Sequence, residues 1–220
     1  WEVRHMCDII NRFSINCHSS IRCDNGNMVL RFDPFRVEDA PHDAGLVFIT
    51  HDHYDHFSPE DIRRVLSPDG FIVLPDTCYR TALEAGFEES ALLPVHTGVT
   101  YELLGLSFRA VAAYNEGKNF HPEANRWLGY VVTTADGLHF YVAGDTDNIG
   151  EARSVRCDAA FLPVGGTYTM TAREAAALAN TIRPKVAVPT HYGCIVGEMA
   201  DGDAFAAGLD DGIQCVKLIG

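Results

Sequence analysis

The six residues His51-Asp52-His53-Tyr54-Asp55-His56 carry three imidazoles and two carboxylates. Crowded imidazoles repel one another once protonated and cannot enter a core unpaired, so such a run is costly unless a cation holds it. With ten His in the chain some clustering is ordinary, but a match to His-x-His-x-Asp-His is rare by chance, and a solvated His-rich loop is the weaker reading. The stretch reads as half of a dinuclear metal site.

The remaining donors come from farther along the chain. Asp145, in Gly144-Asp145-Thr146-Asp147, follows the apolar run 139–143; its two oxygens can each take one ion, and Gly144 permits close backbone approach. His191 follows the apolar run 184–190. These residues suggest two cations about 3.5–4 Å apart, bridged by Asp145. One falls to His51 and His53, the other to Asp55, His56 and His191. Imidazole and carboxylate donors without a thiolate suit Zn first, with Mn, Fe or Ni compatible. Such a centre brings the pKa of water from about 15.7 towards 7 and polarises a carbonyl or phosphoryl oxygen. A hydroxide between the cations could then attack an ester, lactone or phosphoester bond, with Asp55 as proton acceptor.

The elements that must position these groups are legible in outline. The run 46–50 is short, apolar and bounded by Gly45, which predicts a buried strand with the ligand run at its exit. Ser58 as N-cap, Pro59 at the first helical position and Asp61 in the capping-box place predict a helix over 59–66. An Asn25-Gly26 turn joins strands 20–23 and 28–32, and Asp33-Pro34 ends the second with Asp33 expected to be extended. Residues 67–70 read as a turn into strand 71–74, followed by a helix over 77–84. Further strands are expected at 99–104, 106–113, 127–132, 139–143, 159–164, 184–190 and 213–218, with helices at 171–181 and 203–209. Asp33, His51, Asp145 and His191 each follow an apolar strand, so a parallel or mixed arrangement would gather all four at one sheet edge.

His51-x-His53-x-Asp55-His56 at a strand end resembles the signature of the metallo-β-lactamase superfamily of metal-dependent hydrolases. Within it, the short chain, Asp33-Pro34 and Gly144-Asp145-Thr146 resemble the branch of L-ascorbate-6-phosphate lactonase-like proteins. The resemblance implies an α/β fold, a four-layer αββα sandwich forming a single domain over residues 1–220, with metals at one edge of its two sheets. It implies that Asp33 hydrogen-bonds into the site and orients a metal ligand. His18-Ser19-Ser20 resembles an early His-Ser segment of the family, which sets His18 near the pocket floor or leaves it a satisfied structural His. One departure stands out: most members place a third His where this chain has Tyr114-Asn115. His121, in the same loop, could supply that nitrogen, face substrate with Lys118, or stand exposed before Pro122.

Tyr114, Asn115, Lys118, Gly166 and Tyr168 are the candidate substrate contacts, and a Gly165-Gly166 loop ahead of a helix N-terminus favours a small anionic molecule. Two rival readings remain: a di-iron redox or oxygen-chemistry protein on the same fold, and a non-catalytic metal-binding module.

Composition narrows the field. At 220 residues, 47% hydrophobic and 21% charged, the chain can bury a substantial core. A net charge of −13 without any basic run argues against a nucleic-acid partner. No run is long enough for a membrane span, and Trp1 to Arg12 lacks a signal-peptide core, so a soluble cytoplasmic protein is expected, of undetermined oligomeric state. Seven Cys without a Cys-x-x-Cys pair argue against a complete disulfide framework and read mostly as small buried hydrophobes, with Cys194 notable for lying three residues after His191.

Overall fold

The computed structural model describes residues 9–219; the opening stretch up to Asp8, with Cys7, and Gly220 lie outside the described residues. Short strands and tight turns build the first half of the chain into one sheet whose six strands lie in chain order. They are β1 (Phe13–Ile15), β2 (Ile21–Asp24), β3 (Val29–Phe32), β4 (Ala44–Phe48), β5 (Leu66–Pro75) and β6 (Leu92–Val95). The first three run antiparallel, and at the expected turn Asn25 Oδ1 accepts from the Asn27 and Met28 amides. β3 to β6 are parallel, with helices α1 (Pro59–Val65) and α2 (Tyr79–Glu84) carrying the chain between β4, β5 and β6.

The second sheet holds β7 (Thr100–Leu103), β8 (Leu106–Ala112), β9 (Leu128–Thr133), β10 (His139–Val142), β11 (Ala159–Pro163), β12 (Val186–Thr190) and β13 (Gln214–Cys215), again in chain order. β7 to β10 are antiparallel and β10 to β13 parallel. The parallel crossovers contain α3 (Gly150–Arg153), α4 (Ala172–Ile182) and α5 (Met199–Ala207).

Strand alternation assigns the layers. Leu46 and Phe48 of β4 enter the core between the sheets with Phe108, Tyr130, Phe140 and Phe161. Val47 and the following Ile49 turn to the other face, against Ile62 and Val65 of α1. Tyr141, Ala160 and Leu162 likewise meet Ala175, Leu178 and Ile182 of α4. Strands buried on both faces read as continuous apolar runs, which is how β4, β11 and β12 appear in the sequence. The four layers are those of the αββα sandwich.

Several local expectations differ. Residues 67–70 lie inside β5 rather than in a separate turn: Ala44 pairs with Leu66 and Leu46 with Phe71, so the pairing absorbs them opposite Gly45. β1, β6 and α3 are too short to show a period. Helix α5 starts at Met199, earlier than the apolar run suggests, because Glu198 and Asp201 form a reciprocal cap at its start.

Candidate metal centre

The residues leaving β3, β4, β10 and β12 meet at one edge of the sandwich. Asp33 Oδ2 lies 2.7 Å from His56 Nδ1, and Asp145 Oδ2 lies 2.9 Å from His191 Nε2 and 3.2 Å from His121 Nε2. Three groups of donor atoms form, within each of which all atoms lie inside 4.8 Å of one another: His51, His53 and His121; His18, Asp55, His56 and His191; and His51, His56 and Asp145. Asp145 Oδ1 also stands 3.4 Å from His56 Nε2, and Oδ2 3.9 Å from His51 Nε2. All seven metal-ligand candidates are thus brought together, and Asp145 touches both sides of the cluster.

The donor set fits metal cations. His56 Nε2, His121 Nε2, His191 Nε2 and Asp145 Oδ1 are all buried without a hydrogen-bond partner, which is costly unless a cation takes their lone pairs. Imidazole nitrogens turned towards a shared carboxylate are suited to a borderline cation such as Zn.

His121 points its Nε2 into the cluster, while Asn115 holds the ring from behind. Asn115 Oδ1 lies 3.0 Å from His121 Nδ1 and accepts from the His121 amide, and Asn115 Nδ2 donates to the Tyr168 carbonyl and Asp147. Asn115, read from the sequence as a substrate contact, therefore fixes a donor ring. Tyr114 turns away to Glu151, and Lys118 Nζ is held by Asp147 Oδ1 and the Thr169 carbonyl, each at 2.6 Å. The Gly166 amide donates to the Met170 carbonyl and that of Thr167 to the Gly165 carbonyl, so these loop amides are engaged internally. Of the five candidate substrate contacts, only Tyr168 lines the pocket above the donors, which it does with His53, Tyr54, Asp55, Phe120 and Ile195 among others.

Two further residues complete the site: His18, which the sequence left between the pocket floor and a structural role, and Trp127, which it missed. His18 is fully buried, lies 3.1 Å from Asp55 Oδ2 and packs against His191 at 3.8 Å between ring centroids, the rings tilted by 43°. Its one sequence signal was the His18-Ser19-Ser20 resemblance. Trp127 packs against His51, His53 and His121 with ring centroids 4.7–5.5 Å away, a wall that an apolar residue ahead of a strand does not announce.

A sequence family described as the beta-lactamase superfamily domain matches residues 11–192. A UPF0173 metal-dependent hydrolase of Nitratidesulfovibrio vulgaris is 31% identical over 199 residues, covering 83% of this chain and 80% of its own. The chain belongs to the metallo-β-lactamase superfamily. The crystal structure of a putative metal-dependent hydrolase from Parabacteroides distasonis superposes with a TM-score of 0.75 at 29% identity, over 94% of this chain and 93% of that one. A diiron β-hydroxylase from Streptomyces venezuelae, with a TM-score of 0.75 but 13% identity over 94% of this chain and 52% of its own, shares the fold alone. The relatives named as metal-dependent hydrolases, together with the donor cluster, support a metal-dependent hydrolase; the finer likeness to the lactonase-like branch rests on the sequence motifs.

This superfamily site is held under local strain. His18, Asp33 and His191 take positive φ of 58°, 44° and 59°, a region that costs about 1–3 kcal/mol for such residues unless surrounding contacts impose it. Asp33 is therefore left-handed, against the extended form expected before Pro34. Its carboxylate accepts from the Thr50 amide at 2.8 Å and the Thr50 hydroxyl at 2.7 Å, its amide donates to the Phe48 carbonyl, and these bonds outweigh the preference. His191 is tied to His18 through its amide, which donates to the His18 carbonyl at 3.1 Å.

Gly165 matters at this point for space. A Cβ there would stand 2.3 Å from the His191 carbonyl oxygen and 3.4 Å from His191 Nδ1. Gly165→Ala is expected to displace His191 and lower stability by about 1–3 kcal/mol through overpacking, with weakened metal retention; denaturant titration and metal analysis check both.

Cys17 and Cys194 are joined by a disulfide across a sequence separation of 177, tying the segment before His18 to the one after His191. The expectation that Cys are small buried hydrophobes fits Cys23 and Cys78 but not this pair, because the fold brings together loops far apart along the chain. Reduction is expected to lower stability by about 2–4 kcal/mol, measured as denaturant midpoints with and without reductant, and Cys194→Ser should abolish that difference.

Charge in the metal-free cluster is unevenly placed. Burial pushes His51 well below the ordinary imidazole range and His18 down to about 4. Burial would lower His56 too, but the carboxylates of Asp145 and Asp33 outweigh it and hold His56 well above that range. His56 thus keeps a proton at neutral pH that must leave before Nε2 can take a cation. Apparent metal affinity should therefore rise with pH across the neutral range, by up to about tenfold per unit for one displaced proton. Chelator competition at three pH values checks this; a flat profile would count against it.

Proposed function

We propose that this protein hydrolyses an ester, lactone or phosphoester bond of a small molecule at a two-cation centre. The carrying observation is that Asp145 stands between two groups of donors, with the buried Nε2 atoms of His121 on one side and of His56 and His191 on the other lacking a hydrogen-bond partner. His51, His53 and His121 would hold one ion, and Asp55, His56 and His191 the other, with His18 against Asp55 and Asp145 shared. Zn suits this set best. When bound, two such cations supply an acidified water and an electrophilic partner for the carbonyl or phosphoryl oxygen.

The chain's own groups do the rest. Asp33 and Asn115 fix the rings of His56 and His121 by their far nitrogens, so that each presents Nε2. Asp55 lines the pocket, and although burial opposes it, the hydrogen bond from His18 and the charge of His56 hold its carboxyl down at about 2. It stays ionised at neutral pH and so orients the attacking water by accepting its hydrogen bond; it is too weak a base to store the proton for long. Trp127 closes the wall behind three imidazoles and excludes water there.

A non-catalytic metal module is disfavoured because His53, Asp55, His121, Asp145 and His191 all line an open pocket where a substrate can reach them. The test is elemental analysis joined to a hydrolysis screen. Two ions per chain with ester or phosphoester cleavage that disappears in Asp55→Ala supports the proposal; two irons with redox-active spectra and no hydrolysis supports the di-iron alternative.

A further inference from the structure

The pocket over the donors has a volume of about 250 Å³, at the small end of ligand sites. Its floor is polar and its rim is not. Eight large hydrophobic side chains are exposed among the described residues, and four of them line this one pocket: Tyr54, Phe120, Tyr168 and Ile195, at 66, 47, 38 and 36% exposure. Scattered exposed apolar residues need no explanation, but a concentration at the mouth of a site does. Phe120 and Tyr168 already meet edge to face at 4.7 Å between centroids, leaving the rest of each ring to solvent.

The rim is built by the backbone that sets the donors. Tyr54 sits between His53 and Asp55, Phe120 precedes His121, and the Tyr168 carbonyl is held by Asn115 Nδ2 at 3.0 Å. Among the described residues, no Lys or Arg lines the pocket. Lys118, the cation closest in sequence to Phe120, is bound to Asp147 and Thr169, and Arg36 is engaged with Cys194 and stacked on Phe35. A negative charge on the outer part of a substrate would meet aromatic faces and no counter-charge, and would lose hydration without compensation.

We infer that the substrate carries an apolar, ring-sized group beside its scissile bond, gripped by Phe120, Tyr168, Tyr54 and Ile195, and no anionic group at that end. Any negative charge belongs at the bond that breaks. The inference rests on the hydrolase reading for which bond breaks, and on the rim for what is bound.

Two hydroxamates separate these points, because the shared hydroxamate engages the metal floor equally and the far end alone differs. Calorimetry of the zinc-loaded protein with 3-phenylpropanohydroxamate and with glutaric monohydroxamate should give at least a tenfold tighter Kd for the first, about 1.4 kcal/mol. The Phe120→Ala/Tyr168→Ala double variant, with its zinc content verified, should shrink that ratio below about threefold. Equal or tighter binding of the carboxylated compound, no binding of either, or an undiminished ratio in the double variant overturns the inference. The p-nitrophenyl esters of 3-phenylpropanoic acid and of glutaric acid then test the reaction. A binding preference with neither ester cleaved leaves the rim standing and removes the hydrolase reading. Cleavage of both with equal kcat/KM removes the rim and keeps the hydrolase.

Discussion

Asp145→Asn is expected to lose both ions together, with elemental analysis falling well below one per chain and hydrolysis lost with them. The carboxylate reaches His191, His121, His56 and His51 at 2.9, 3.2, 3.4 and 3.9 Å, four imidazoles against the three that Asp55 reaches. An amide offers one weak acceptor and an NH2 that faces nitrogens already needing a cation. The metal-free protein should suffer as well. Burial would raise the Asp145 carboxyl, but the charges of His191 and His56 outweigh it and hold it well below the usual range. Removing one member of such a buried set costs about 3–5 kcal/mol. Because the folded pKa is depressed, this stability is present above the unfolded carboxyl pKa of about 3.9 and fades as pH falls through the depressed value. Chemical denaturation of the two metal-free proteins should therefore diverge at pH 7 and converge in acid. One ion retained at full occupancy by the variant would show that Asp145 is not shared.

How much of this was readable in advance follows from where the information sits. The run from His51 to His56 is dense and local, and the strand before it and the capped helix after it are fixed by short-range chemistry: Pro59 and the Ser58 side chain act where expected, although the Asp61 carboxylate closes no capping box and takes the Ser58 hydroxyl and the Arg36 and Val37 amides instead. Asp145 and His191 were legible because each stands alone at the exit of an apolar strand. What stayed open or escaped depends on tertiary approach. His18 is one imidazole in a polar segment, and only the folded chain decides for the pocket by packing it against His191. Asn115 has the composition of a substrate contact, yet its place is decided by the loop that brings His121 back over it. Lys118 reads as a free cation until Asp147 and the Thr169 carbonyl are found around its ammonium. The Cys17–Cys194 bond joins loops 177 residues apart, and no spacing rule selects that pair from seven Cys.

Asp33 tests whether the support of a ligand matters as much as the ligand. Its carboxylate is buried, takes the Thr50 amide and hydroxyl on its two oxygens and meets His56 Nδ1 at 2.7 Å. The Thr50 hydroxyl in turn lies 3.0 Å from His51 Nδ1, so Asp33 reaches one imidazole of each proposed ion, one directly and one through Thr50. Partners of this kind fix the tautomer and aim of a ligand and raise its basicity, and losing them costs about 10–100-fold in metal affinity. Asp33→Ala is expected near the upper end, since it also leaves the buried Thr50 amide unpaired, at about 1–3 kcal/mol of stability. Asp33→Asn keeps an acceptor for that amide but sets an NH2 against the Thr50 hydroxyl and His56 Nδ1 in place of the second oxygen, so its loss of affinity should match that of Asp33→Ala while its loss of stability is smaller. Chelator competition on the three proteins, with denaturant midpoints measured in parallel, separates the contributions. Parental affinity in both variants would mean that the metals depend on donor identity alone and that the strained backbone at Asp33 serves only the fold.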